Sequence, residues 1–131
     1  MAHTKPSEME LQVLGVLWDH GPLPAREVLE RLPDGKRRAY TTVLSIMQVM
    51  EKKGLLTHSV EGRAHVYRPT VTRKQVMRPY VRTLLQNVFG GSPARALQQL
   101  LDEGPVDADE LEAIRHLIDE HERDAKRDKR R

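Results

Sequence analysis

Residues 39–69 read AYTTVLSIMQVMEKKGLLTHSVEGRAHVYRP, and this stretch decides the fold. Residues 39–53 predict a helix: on a 100° wheel Val43, Ile46, Met47 and Met50 share one arc, the side expected to face a core. Gly54 is placed to end that helix, because glycine enters the left-handed region without a Cβ clash. Two short runs rich in β-formers follow, Leu55 to Val60 and Ala64 to Arg68, joined across Glu61-Gly62-Arg63 and closed by Pro69. They predict a hairpin.

Upstream of this stretch, Ser7-Glu8-Met9-Glu10 fits a capping box, and Leu11, Leu14, Leu17 and Trp18 recur at helical spacing as far as His20-Gly21-Pro22. Pro24 suits the first position of a second helix, whose apolar face is Ala25, Val28, Leu29 and Leu32. Pro33-Asp34-Gly35 ends it. Three short helices followed by a hairpin is the element order of a winged helix-turn-helix, giving a mostly α class with a small β-hairpin wing.

Downstream of Pro69 the pattern is helical throughout. Thr72-Arg73-Lys74-Gln75 offers a second capping box, while Pro79 either kinks the helix or restarts it. Val81, Leu84, Leu85, Val88 and Phe89 form an apolar stripe up to Gly90-Gly91. Ser92-Pro93 opens a helix bearing Leu97, Leu100 and Leu101, stopped by Gly104-Pro105. Asp107 caps a last helix with Leu111, Ile114, Leu117 and Ile118 on one face. Such stripes cannot bury themselves within about 50 residues, so a second copy is expected to cover them. The resulting division is a winged domain over 1–71, a helical dimerisation region over 72–122 and a charged, disordered tail over 123–131.

The composition narrows the chemistry. The 131 residues carry a net charge of +3, and no cysteine is present, which excludes disulfides, thiolate metal sites and cysteine nucleophiles. No apolar run is long enough to span a bilayer and no signal sequence precedes the first helix, so a cytoplasmic protein without membrane insertion is expected. There is no nucleophile elbow, phosphate-binding glycine loop or His-Glu-x-x-His motif, so no enzyme is expected. His116 and His121 are five residues apart and do not share a face; His58 and His65 approach across the hairpin, where a surface role is expected. Neither a metal nor another cofactor is expected.

The charge distribution points instead to DNA. Opposite the core arc of the third helix lie Thr41, Ser45, Gln48 and Lys52. Short hydroxyl and amide groups can approach base edges in the major groove, and glutamine can bond adenine through two hydrogen bonds. Lys36, Arg37 and Arg38 stand just upstream, where cations would meet phosphates, and Arg63 at the hairpin tip could reach the backbone or the minor groove. The second basic cluster, Lys126, Arg127, Lys129, Arg130 and Arg131, reads as a solvated end.

Ala39-Tyr40-Thr41-Thr42-Val43-Leu44, Glu51-Lys52-Lys53-Gly54-Leu55-Leu56, Glu61-Gly62-Arg63-Ala64-His65-Val66-Tyr67-Arg68-Pro69 and Val88-Phe89-Gly90-Gly91-Ser92-Pro93 resemble the penicillinase-repressor family (the BlaI/MecI/CopY group). The resemblance covers roughly residues 7–120. It implies a homodimeric repressor on a palindromic operator, with Thr41, Thr42 and Ser45 at the bases and Tyr40 and Arg63 near the backbone. Family members that control β-lactam resistance are cut in the tail by a membrane-bound sensor protease at an Asn-Phe bond. Gln99-Leu100 stands at the corresponding place and departs from that pattern. A copper-responsive branch uses cysteines that this chain lacks. Two other readings stay open: a winged-helix protein-interaction module using Leu44 and Val49, and a regulator gated by a small ligand between winged domain and tail.

Overall fold

The computed structural model describes residues 5–33 and 38–129. They form α1 (Glu8–His20), β1 (Leu23–Pro24), α2 (Ala25–Arg31), α3 (Tyr40–Lys52), β2 (Leu56–Glu61), β3 (Ala64–Pro69), α4 (Arg73–Asn87), α5 (Pro93–Asp102) and α6 (Ala108–Lys129). The chain divides into two units, with the boundary between Val81 and Arg82.

In the first unit both halves of the capping box on α1 form. The Glu10 amide donates to Ser7 Oγ at 3.2 Å and the Ser7 amide to Glu10 Oε1 at 2.9 Å. Two amides that the first turn would leave unpaired are thereby satisfied. The core is assembled from Val13, Leu14 and Leu17 of α1, Val28 of α2, and Val43, Met47 and Met50 of α3, with Leu55, Leu56 and Tyr67 from the sheet side. The α3 arc expected to face inward does so, Ile46 being only partly buried at its margin. Gly54, at φ +82°, ends α3, and the Leu55 amide returns to the Met50 carbonyl at 2.9 Å. This is the wrap-back closure that a left-handed glycine allows.

The sheet has three strands in the order β1-β3-β2, all antiparallel, where the sequence predicts only a hairpin. Leu23 and Pro24 pair with Tyr67 and Val66, so Pro24 is an edge-strand residue and the N-cap of α2 rather than its first helical residue. A proline has no amide to give to a ladder, and an edge strand is where that is tolerated. Two residues are also too few for alternation to reveal. The element order and sheet make this unit a winged helix-turn-helix, with β2 and β3 as the wing.

The first turns of α4 belong to the winged unit, which therefore extends past residue 71. Arg73 Nη2 donates to Asp19 Oδ1 at 2.6 Å, its guanidinium lies 5.4 Å from the Trp18 ring centre, and Trp18 Nε1 donates to the Val71 carbonyl at 2.9 Å. Val76 packs on the core and the Tyr80 hydroxyl reaches the Pro6 carbonyl. Pro79 sits inside α4 without ending it.

In the second unit, Ser92 caps α5 by accepting from the Arg95 amide at 3.3 Å, and Asp107 accepts from the Glu110 amide at 2.8 Å ahead of α6. α6 continues to Lys129, where the sequence reading has a disordered tail from 123. Residues 123–129 contain no glycine or proline, and Lys126, Arg127 and Lys129 fall in the last turn, where cations favour the helix dipole.

Candidate nucleic-acid interface

Val43 and Met47 are fully buried, which fixes the rotation of α3 and leaves Thr41, Thr42, Ser45, Gln48 and Lys52 exposed on the other side. The first turn of α3 carries no acid. Its unpaired amides and positive dipole end thus meet nothing that would repel an anion. The only carboxylate in α3, Glu51, is turned to the wing, where its Oε1 lies 2.5 Å from His58 Nδ1. The exposed row is therefore neutral and polar, with one cation, Lys52, at its far end.

The wing is anchored to α3 through the same carboxylate. His58 on β2 stacks on His65 of β3, ring centres 4.7 Å apart and planes 9° from parallel, and lies 5.4 Å from the Tyr67 ring. Burial, with the nearby Glu51 and Tyr40, pushes the Tyr67 phenol above its usual range. At the tip Gly62 takes φ +65°, a conformation most side chains avoid, and Arg63 beside it is exposed. The two histidines expected to approach across the hairpin do meet, as a stacked pair tied to α3.

A second tie holds α3 at the same end, against α1. Lys53 Nζ bonds both oxygens of Glu10, at 3.0 and 2.9 Å, so the N-terminus of α1 is locked to the C-terminus of α3. Glu10 is 4% exposed. Burial alone would raise its carboxyl; the Ser7 amide and the Lys53 ammonium outweigh it and hold the group below the usual carboxylate range.

Among the cations expected at phosphates, Arg38 is half-buried at the entrance to α3, while Lys52 and Arg63 are exposed. Lys36 and Arg37 lie outside the described residues. Tyr40 is half-buried beneath Arg26, whose guanidinium sits 4.6 Å from the ring centre. Arg26, exposed in the first turn of α2, is a cation beside the exposed face that the sequence reading does not include. Its only signal was a basic residue opening the second helix.

None of the residues expected at a dimer interface is fully buried within the protomer, since α4, α5 and α6 have no buried residue. Val81, Leu84, Val88, Leu100, Leu117 and Ile118 are exposed, and Leu85, Phe89, Leu97, Leu101, Leu111 and Ile114 are half-buried. Gln99 and Leu100 fall within α5, where the Gln99 amide bonds Glu103 at 2.7 Å. Among the described residues, no group of three potential ligands is arranged for a metal, and no helix is long and apolar enough to cross a membrane.

Known proteins resemble the chain over most of its length. The model of the penicillinase repressor family matches residues 6–120. A transcriptional regulator BlaI of Mycobacterium tuberculosis is 33% identical over 121 residues, covering 91% of this chain and 86% of that protein. A penicillinase repressor of Bacillus licheniformis is 24% identical over 115 residues, covering 88% and 90%. A solution structure of the DNA binding domain of the repressor BlaI aligns at 31% identity and a TM-score of 0.47, over 55% of this chain and 90% of that one. On the extent of the family match and the one-third identity to a regulator of similar length, the chain belongs to the penicillinase repressor family, a family of transcriptional repressors and not of enzymes.

Proposed function

We propose that the chain represses transcription by binding operator DNA as a homodimer, each protomer laying α3 in the major groove of one half of a palindromic site. The observation that carries the reading is the exposed row Thr41, Thr42, Ser45 and Gln48, backed by a fully buried face that holds it in place. These four side chains are the base-contacting candidates. Tyr40, Lys52, Arg63 and Arg38 serve the phosphates, with Lys36 and Arg37 from the segment before α3, and Arg26 joins them through Tyr40. Family relatives named as repressor and transcriptional regulator support the same role.

Dimerisation is supported by the stripe on α4, α5 and α6, since exposed large apolar side chains in three successive helices call for a covering surface. Two-fold symmetry of the protein then implies a two-fold operator, and a cytoplasmic site of action follows from such a role. Relief of repression by a membrane-bound sensor protease at Gln99–Leu100 would require fraying of the C-terminal turn of α5, because that peptide group lies within the helix. A second reading, in which α3 docks a protein, rests on Val49, which is 46% exposed beside the polar row.

Footprinting on the DNA upstream of the chain's own gene tests the main reading. Two protected half-sites related by a two-fold axis, about one or two helical turns apart, are expected. A single asymmetric footprint, or none, contradicts it. The Thr42→Glu/Ser45→Glu double variant separates the alternatives: it abolishes DNA protection under the first and leaves protein recruitment intact under the second.

A further inference from the structure

β1 supports the wing only at its base. Its two residues pair with Tyr67 and Val66, so from His65 outward β2 and β3 have only each other. The last two pairs, Val60 with His65 and Glu61 with Ala64, carry the turn at Gly62 and the exposed Arg63. Val60 is 62% exposed and contributes little packing there. A two-stranded ribbon without a third strand or a buried face is marginal in water. Side-chain ties must therefore fix where Arg63 stands.

A row of three side chains reaches from α3 into that outer part. Glu51 of α3 meets His58, which stands opposite Tyr67 at the supported base. The His58 ring lies flat on His65, two pairs further out and two residues from Arg63. The other titratable groups facing the row are Tyr67 of β3, 5.4 Å from His58, and Tyr40 of α3, close to Tyr67. Glu51 has no other ion-pair partner among the described residues. The row thus holds one carboxylate for two imidazoles. That carboxylate can balance one imidazolium, whereas a second proton sets two like charges face to face at 4.7 Å, where they repel.

We propose that Glu51, His58 and His65 are positioning residues for DNA binding: they hold the outer wing against α3 so that Arg63 meets the backbone of the half-site, and the hold is released when both rings are protonated. The proposal rests on the DNA-binding reading above and adds to it a regulation by protons. With one proton or none on the pair beyond its neutral state, His58 Nδ1–H donates to Glu51 and the stack stays closed. With the second, repulsion between the rings opens the stack and the outer wing loses its brace. Acidification therefore weakens the Arg63 contact. A simple gain of positive charge would act in the opposite sense, since added cations near DNA strengthen binding and steepen its salt dependence.

The test is a cycle of variants of the full chain, titrated by anisotropy against its own upstream DNA over a range of salt. Titrations are run at about pH 8 and about pH 5.5, a span over which imidazoles gain their charge. At the higher pH, Arg63→Ala is expected to lower the slope of log K against log salt by about one per protomer. In the Glu51→Ala background the same substitution is expected to lower it by less than about 0.3, because the brace is already gone. His58→Ala cuts the row from the wing side and is expected to give the same result, so the test survives if either background fails to fold. At the lower pH, Arg63→Ala is expected to lose its effect in the otherwise unaltered chain. It should keep that effect in His65→Phe, which stacks but takes no proton. An undiminished Arg63 effect in both backgrounds overturns the positioning role, and an equal effect at the two pH values overturns the release by protons. Equal affinity for upstream and scrambled DNA at the higher pH would instead sink the DNA-binding reading itself.

Discussion

Thr41 and Ser45 lie one turn apart on α3, both exposed and without a hydrogen-bond partner among the described residues that their removal would orphan. Their value should therefore show in DNA binding and not in folding. Thr41→Ala and Ser45→Ala are each expected to weaken operator binding by about 1–3 kcal/mol and to shift unfolding by less than about 0.5 kcal/mol, as read by anisotropy titration and thermal melting. Arg63 works through charge. Arg63→Ala should weaken binding to all sequences alike and lower the slope of log K against log salt by about one per protomer. Glu10 makes the opposite kind of residue, structural and titratable. Its carboxyl is depressed in the folded state, so the stability it contributes is present above its ordinary value of 4.5 and lost as pH falls through the lower folded value. Glu10→Gln is expected to cost about 1–3 kcal/mol at pH 7 and to flatten the acid limb of a stability profile, measured by urea unfolding between pH 3 and pH 7. Lys53 remains partly in water, which keeps that cost below that of a fully buried pair.

At the scale of elements, α3 carries the account, and its rotation is set by side chains of no functional interest. Met47→Ala should destabilise the winged unit by about 2–5 kcal/mol in urea titrations, while the fraction that remains folded still binds operator. The course of α3 was legible because its apolar period persists over more than three turns and Gly54 marks its end. β1 was not, since Leu23 and Pro24 are held only by partners more than forty residues away. The same limit hid the wing's attachment. Nothing near Glu51 in the sequence says that it turns to His58, and nothing near Arg26 says that it covers Tyr40. The polar row on α3 could be read because it is local to one helix. The end of α6 differs from the disordered tail expected of 123–131 because charge density alone does not stop a helix, and no helix breaker precedes Lys129.

For the whole molecule, the distribution of burial separates two roles. The winged unit closes its own core around Leu14, Leu17, Val43 and Met47, whereas α4, α5 and α6 contain no fully buried residue. In the proposed homodimer, affinity for a full operator exceeds that for a half-site because the second half binds as an intramolecular event. A half-site duplex is expected to bind at least a hundredfold more weakly than the full palindrome at equal salt. Whether the exposed face of α3 reads sequence is decided by anisotropy titration of the full chain against its own upstream DNA and a base-scrambled duplex of equal length. A preference of about a thousandfold or more is expected at physiological salt, lost in Thr41→Ala/Ser45→Ala. Equal affinity for the two duplexes would contradict it.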